Sequence, residues 1–165
     1  MHLLAACPLW AGLPEHWAFA VFEFVLKTLC AGYYVDSAFD AFQRDVRVAE
    51  KLIAERIPKL HKALEIAGVS TMTLAFDPLL CLFTRHVQLK AVLRLWDVLL
   101  VEGDAAIFAV LLALLERLLP VLAEHSSPNE GRLDIPFAER LQELAATADA
   151  EELLQKAKDH LDGGL

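Results

Sequence analysis

The residues of this chain that could take part in chemistry are concentrated in the segment 93–104. Arg94 and Asp97 stand three residues apart there, so on a helix their side chains can form an ion pair. Asp97, Glu102 and Asp104 form an acidic cluster in the sequence. A metal ion would require histidines or further carboxylates at ligand spacing, and none follows. We therefore interpret these carboxylates as solvated acids and predict no metal-binding residues.

The sequence supports nucleophilic catalysis and cofactor binding no better than it supports metal binding. Cys81 and His86 could suggest a thiol nucleophile with its base, but a spacing of five residues places them on different faces of a helix. No acid stands out to orient the imidazole. The six histidines contain no H-x-x-x-H pair, and there is no glycine-rich phosphate loop. The sequence thus predicts no catalytic residue, no zinc site and no cofactor.

An apolar helix must position the Arg94–Asp97 pair. The spacing predicts a helix over 88–101, ended by Gly103, whose apolar face is Val92, Leu95, Trp96, Leu99 and Leu100. A helix this apolar is normally a central core element, and a charged pair held inside it needs a partner. We interpret Arg94 and Asp97 as a structural pair that ties the helix to neighbouring backbone. A contribution to a partner-binding surface is the alternative.

Helical patterns dominate the rest of the chain, and no polar/apolar alternation typical of strands is sustained. Pro14 opens a helix over 15–30, and Asp36 or Ser37 caps the next one. The apolar face of that helix is Phe39, Phe42, Val46, Ala49 and Ile53. Further helices are predicted from Pro58 to Gly68, from Ser70 or Thr71 around 72–74, at 79–84 after Asp77-Pro78, at 105–119 before Pro120, at 134–146, and at 149–161 with an Asp149 cap. The fold class is all-α, with about eight or nine irregularly stacked helices.

Composition restricts the class of protein. At 165 residues the chain suits one domain, and 56% of its residues are hydrophobic. A membrane span would need about 18 or more uninterrupted apolar residues. The longest tract, 105–115, stops at Glu116 and Arg117. We therefore expect no transmembrane segment, and we expect an extra apolar face that another part of a larger domain would cover.

The net charge and the cysteine content restrict the class of protein further. The net charge of −8 argues against nucleic acid, whose phosphates require clustered basic residues, and against electrostatic docking to anionic lipid. Cys7, Cys30 and Cys81 are odd in number and lack C-x-x-C spacing, so we interpret them as reduced, buried thiols of a cytosolic protein. The first residues lack the basic region of a secretory signal.

The segment 76–119 resembles the C-terminal half of a TBC domain, the helical module that activates Rab-type small GTPases. Four blocks carry the likeness in matching order and spacing, at 79–83, 93–97, 102–103, and 107–108 with 111–115. Weaker matches extend it over most of 1–120. The family signature that the resemblance implies is Arg94, Trp96, Asp97, Glu102 and Gly103, and we interpret these residues as structural.

The resemblance implies a fold like the C-terminal lobe of that domain and a Rab-family GTPase as partner. It divides the chain into a partial TBC-like domain (1–124), a linker (125–133) and a C-terminal helical tail (134–165). TBC domains accelerate GTP hydrolysis with an arginine from an I-x-x-D-x-x-R pattern and a glutamine from a Y-x-Q pattern, both in the N-terminal half. Neither pattern occurs in the sequence.

We therefore expect that the catalytic N-terminal half is missing and that the chain binds a Rab at most, as a member of a regulator family and not as an enzyme. We expect it in the cytoplasm, peripheral to endomembranes through its GTPase. Three hypotheses remain open. The chain is a fragment of a true activator, a TBC-like scaffold or adaptor without fingers, or an unrelated helical bundle that binds an apolar ligand or a membrane.

Overall fold

A computed structural model describes residues 1–35, 39–85, 87–125 and 136–164. Within those residues the chain is helical and contains no strand, which confirms the predicted fold class. The helices are α1 (His2–Trp10), α2 (Glu15–Phe24), α3 (Asp40–Arg56), α4 (Pro58–Ala67), α5 (Thr71–Leu80), α6 (Leu89–Glu102), α7 (Asp104–Glu116), α8 (Leu119–His125), α9 (Phe137–Ala146) and α10 (Ala150–Asp162). α2 continues directly into a π-helical turn, Val25–Leu29.

Local sequence sets several of the helix ends. Pro58 occupies the first turn of α4, where its missing N–H costs no hydrogen bond, and Gly68 ends that helix in the left-handed conformation with φ of 67°. The Ser70 hydroxyl accepts a hydrogen bond from a first-turn amide of α5. The Asp149 carboxylate accepts hydrogen bonds from two first-turn amides of α10. The predicted caps Ser70 and Asp149 are therefore confirmed.

The predicted helix start at Asp77-Pro78 is wrong. α5 runs without a break to Leu80 and holds Pro78 in its last turn. The residues after α5 form turns in which two non-glycine residues have positive φ, 42° and 66°, so the separate helix predicted at 79–84 does not form. Asp77 does not act as a cap, because its carboxylate pairs with the Arg85 guanidinium at 2.9 Å.

Other boundaries also differ from those predicted. α7 ends at Glu116, and α8 begins at Leu119 after a two-residue turn, so that Pro120 lies in a first helical turn where proline is tolerated. α1 forms in a segment for which the sequence predicted no helix. The predicted caps Asp36 and Ser37, and most of the predicted linker, lie outside the described residues.

One hydrophobic core joins helices from all parts of the described chain. α7 is buried at every residue from 109 to 115, and it packs along α10 and against α6. The core side chains that come from the last two helices are Phe137, Leu141, Ala145, Leu153 and Ala157. Residues 136–164 therefore share a core with the helices that precede them.

One described helical stretch, Asp104–Ala123, is long and apolar enough to cross a membrane by length and composition alone. The pair α4 and α5, which is bent by 117°, would pass the same test if it counted as one span. In the first stretch, 67% of the apolar window is buried inside the protein. The core helix of a globular protein meets this criterion too, and the expected absence of a transmembrane segment stays a prediction.

Candidate functional site

Trp96 fastens α6 to the turns that follow α5. Its side chain is only 4% exposed, and its indole Nε1 donates a hydrogen bond to the Leu82 carbonyl oxygen at 3.1 Å. Leu82, whose carbonyl oxygen accepts this bond, lies in a turn and has a positive φ. Leu95 and Leu99 are buried on the same face of α6. The structure thus places Trp96 in the core.

Arg94 and Asp97 lie on the opposite, solvent-facing side of α6. Arg94 Nη1 is 3.5 Å from Asp97 Oδ2, and the two side chains are 54% and 70% exposed. Arg94 Nη2 also lies 3.4 Å from Glu151 Oε1 on α10. The predicted pairing is present, but the pair is on the surface and its second partner is a carboxylate, not backbone. Exposed ion pairs of this kind contribute about 0–1 kcal/mol to the free energy of unfolding. Because both side chains are solvated, they do not need the further partner that a buried charged pair would require.

Gly103 forms the corner between α6 and α7. Its φ of 72° and ψ of −146° lie in a region that only glycine adopts readily. An added Cβ would meet no atom within 4 Å, so backbone conformation and not space calls for glycine there. Glu102 and Asp104 flank the corner and are exposed. Among the described residues, no group of three or more potential metal ligands is found.

The cysteines lie in apolar surroundings. Burial raises the pKa of Cys7 to about 12, and burial together with nearby acids raises the pKa of Cys30 to about 12. Cys81 is half-buried, and its pKa is also raised, chiefly by burial. Thiols with such pKa values stay protonated near neutral pH and are poor nucleophiles. His86, the base considered for Cys81, lies outside the described residues.

Charged contacts join α10 to α7. Arg117 Nη1 lies 2.9 Å from Glu152 Oε2, and Lys156 Nζ lies 3.3 Å from Glu152 Oε1. The hydrogen bond from Arg117, followed by that from Lys156, lowers the pKa of Glu152. His160 Nε2 is 3.2 Å from Glu116 Oε1. The sequence did not predict these contacts.

A second long-range contact holds the end of α10 against α3. The Arg56 guanidinium donates hydrogen bonds to the carbonyl oxygens of Gly163 and Gly164 at 3.0 and 2.9 Å. An added Cβ at Gly163 would lie 2.8 Å from Arg56 Nη1, so the guanidinium at the end of that flexible side chain would have to shift.

The apolar face expected from composition lies along α2 and its π-helical turn. Trp17 and Phe19 are 60% and 65% exposed, and Phe24 is exposed as well. A groove of about 300 Å³ runs beside them, lined by Phe19, Phe22, Glu23, Leu26, Lys27, Cys30, Tyr34 and Val35. Glu23 and Lys27 form an ion pair at its edge, with 2.6 Å between Lys27 Nζ and Glu23 Oε1. The sequence predicted such a face but not its location.

Comparison with known proteins identifies the family. The sequence model of the Rab-GTPase-TBC domain matches residues 1–122. Carabin from Mus musculus is 31% identical over 115 residues, which cover 70% of this chain and 26% of that protein. Growth hormone-regulated TBC protein 1 from Xenopus tropicalis is 30% identical over 103 residues, which cover 62% of this chain and 30% of that protein.

The all-helical fold and this match define the chain as a portion of a TBC domain, and it belongs to the Rab-GTPase-TBC family. It spans only 26% and 30% of the lengths of these two relatives. Small G protein signaling modulator 3 from Rattus norvegicus is 27% identical over 163 residues, 99% of this chain and 21% of that protein, so that match includes α9 and α10. The recognition made from the sequence is therefore confirmed, while the roles of Arg94, Trp96, Asp97, Glu102 and Gly103 stay predictions.

Proposed function

We propose that this chain is a Rab-binding part of a TBC domain that holds a GTP-loaded Rab-type GTPase without accelerating GTP hydrolysis by itself. The family match over residues 1–122, in a sequence with neither finger pattern, is the observation that carries the proposal. The chain would act as a member of a regulator family and would have no catalytic residue of its own.

The size of the effect at stake makes the proposal testable. An arginine finger stabilises the charge that develops on the transferring phosphoryl group, and it is worth about 10³–10⁵ in the hydrolysis rate. Three of the described arginines have other roles: Arg94 and Arg117 pair with carboxylates of α10, and Arg56 donates hydrogen bonds to main-chain carbonyls. We expect none of them to replace a finger.

Single-turnover GTP hydrolysis tests this expectation. A panel of GTP-loaded Rab GTPases is mixed with an excess of the chain, with a finger-bearing TBC protein as positive control. We expect rates within about twofold of the intrinsic rate, against about 10³-fold or more for the control. Biolayer interferometry in parallel should show binding to at least one GTP-loaded Rab. Acceleration of tenfold or more by the chain alone, or no binding to any member of the panel, would refute the proposal.

The exposed face of α2 supports a second partner. We propose that a polypeptide carrying both finger patterns covers Trp17, Phe19 and the adjoining groove, and so completes the domain. Adding such a segment should restore acceleration to the wild-type chain. Phe19→Asp should prevent restoration, whereas Val101→Asp, at an exposed apolar residue on α6, should not. If the chain binds a Rab but GTP hydrolysis is not accelerated after the segment is added, the result would instead favour a scaffold or adaptor.

The proposed Rab partner also suggests where the chain is located in the cell. We propose that the chain is cytoplasmic and reaches endomembranes only through its GTPase. A fluorescent fusion should therefore leave membranes when the Rab that binds it is depleted. A fusion that stays on membranes after that depletion would contradict the proposal.

A further inference from the structure

The outer face of α3 carries a basic stripe, which we define as Arg44, Arg47, Val48 and Lys51. The three cations are spaced i, i+3 and i+7, so they lie on one side of the helix, opposite the buried Phe42 and its neighbours. All three are exposed. Their clustering stands out because the whole chain has a net charge of −8.

The cations of the stripe are poorly neutralised. Arg44 Nε lies 3.5 Å from Asp45 Oδ1, which is a long contact. Arg47 and Lys51 form no ion pair or hydrogen bond with any part of the chain that the structure describes. Glu50 lies three residues from Arg47 but does not pair with it. Like charges at these spacings repel each other, so the arrangement does not stabilise the helix.

An apolar residue is embedded among the cations. Val48 is exposed, and helical spacing puts it beside Arg44 and Lys51. Asp40 and Glu55 lie at the two ends of the same face, so the positive charge is centred on the middle turns. The result is a short basic surface with an apolar contact point.

This composition suits a protein partner. Arginine is enriched in protein–protein interfaces, where it combines apolar contact with charge. An anionic membrane would be repelled by the rest of the chain, and nucleic acid would require more clustered cations than three. An acidic protein surface fits the stripe by charge complementarity, which would speed association and set orientation.

We propose that the basic stripe on α3 is a docking surface for an acidic face of the Rab-type GTPase. The inference rests on the proposed function, because it needs the GTPase to bind. It adds a site on α3, a different helix from α6, which carries most of the family signature, and from α2, which carries the exposed apolar face.

Charge reversal tests the proposal in the full chain. Arg47→Glu with Lys51→Glu is compared with Lys90→Glu with Lys158→Glu, which changes the net charge equally at two exposed lysines that are also unpaired among the described residues. Affinity for a GTP-loaded Rab that binds the wild type should fall about 10- to 100-fold in the first variant and less than about threefold in the second. Raising the salt from about 50 to about 300 mM should weaken the wild type more than the first variant.

The outcomes separate the two proposals. Absence of binding by the wild type contradicts the proposed function and the stripe together. Equal affinities of the two reversed variants overturn the stripe alone. A stripe-dependent sedimentation with phosphatidylserine vesicles, with Rab affinity unchanged, also overturns it. Arg47→Gln with Lys51→Gln removes the repulsion without reversing charge. It should fold normally by circular dichroism and lose affinity in the same direction, by a smaller factor.

Discussion

Replacing Trp96 by phenylalanine removes one hydrogen bond that joins α6 to the preceding turns. Its indole Nε1 donates to the Leu82 carbonyl oxygen at 3.1 Å, and both residues are buried. Phenylalanine keeps an aromatic ring but leaves that buried carbonyl without this donor, at a cost of about 1–3 kcal/mol. The smaller ring also leaves a cavity, which adds about 1 kcal/mol. We expect the free energy of unfolding to fall by about 2–4 kcal/mol.

Urea unfolding followed by far-UV circular dichroism measures this loss. The midpoint should move to lower urea with an unchanged slope, because the denatured state is not altered. Trp17→Phe is the matched control, since Trp17 is 60% exposed and its ring lies 5.5 Å from that of His16. That variant should lie within about 0.5 kcal/mol of the wild type. If the two variants unfold at the same urea concentration, the bond to Leu82 does not stabilise the fold and the reasoning is refuted.

Three further predictions concern the ion pairs, the helix corner and the thiols. Because hydrogen bonds from Arg117 and Lys156 lower the pKa of Glu152, its contribution is present above its ordinary pKa of 4.5 and is lost as pH falls through the lower folded value. The stability gap between wild type and Glu152→Gln should therefore shrink between about pH 7 and pH 3 in urea titrations. Gly103→Ala should cost about 1–3 kcal/mol, and more than Gly68→Ala in the milder left-handed region; equal losses would contradict the argument from backbone conformation. The buried Cys7 and Cys30 should react with a thiol reagent at neutral pH only about as fast as the chain opens, and rapid labelling of either in the native chain would show that burial does not protect them.

Periodicity predicted those parts of the fold that local spacing controls. On α3, Phe42, Val46, Ala49 and Ile53 are buried as expected, because a repeating apolar face has one way to meet a core. Phe39 was placed on that face but precedes the helix with a left-handed backbone and an exposed ring. α1 was not predicted, because its residues are apolar all round and show no period.

The contacts of the candidate site depend on long-range geometry. Burial of Trp96 follows from its helix, but its acceptor is the Leu82 carbonyl in a turn where non-glycine residues adopt positive φ, which spacing does not indicate. Arg94 and Glu151 are 57 residues apart, and no spacing pattern indicates that they pair. The pair Arg94–Asp97 was predicted, but its exposure was not, because α6 meets the core along one face only.

The contact between Arg56 and the carbonyl oxygens of Gly163 and Gly164 has a consequence for the synthesis and folding of the chain. It joins residues 107 and 108 positions apart, and α10 beside it covers the buried side of α7. During synthesis from the N-terminus, α7 emerges before α10 exists to cover it. The apolar surface of α7 that α10 covers is then exposed to solvent, or is bound by a chaperone, until the glycines near position 164 have been synthesised.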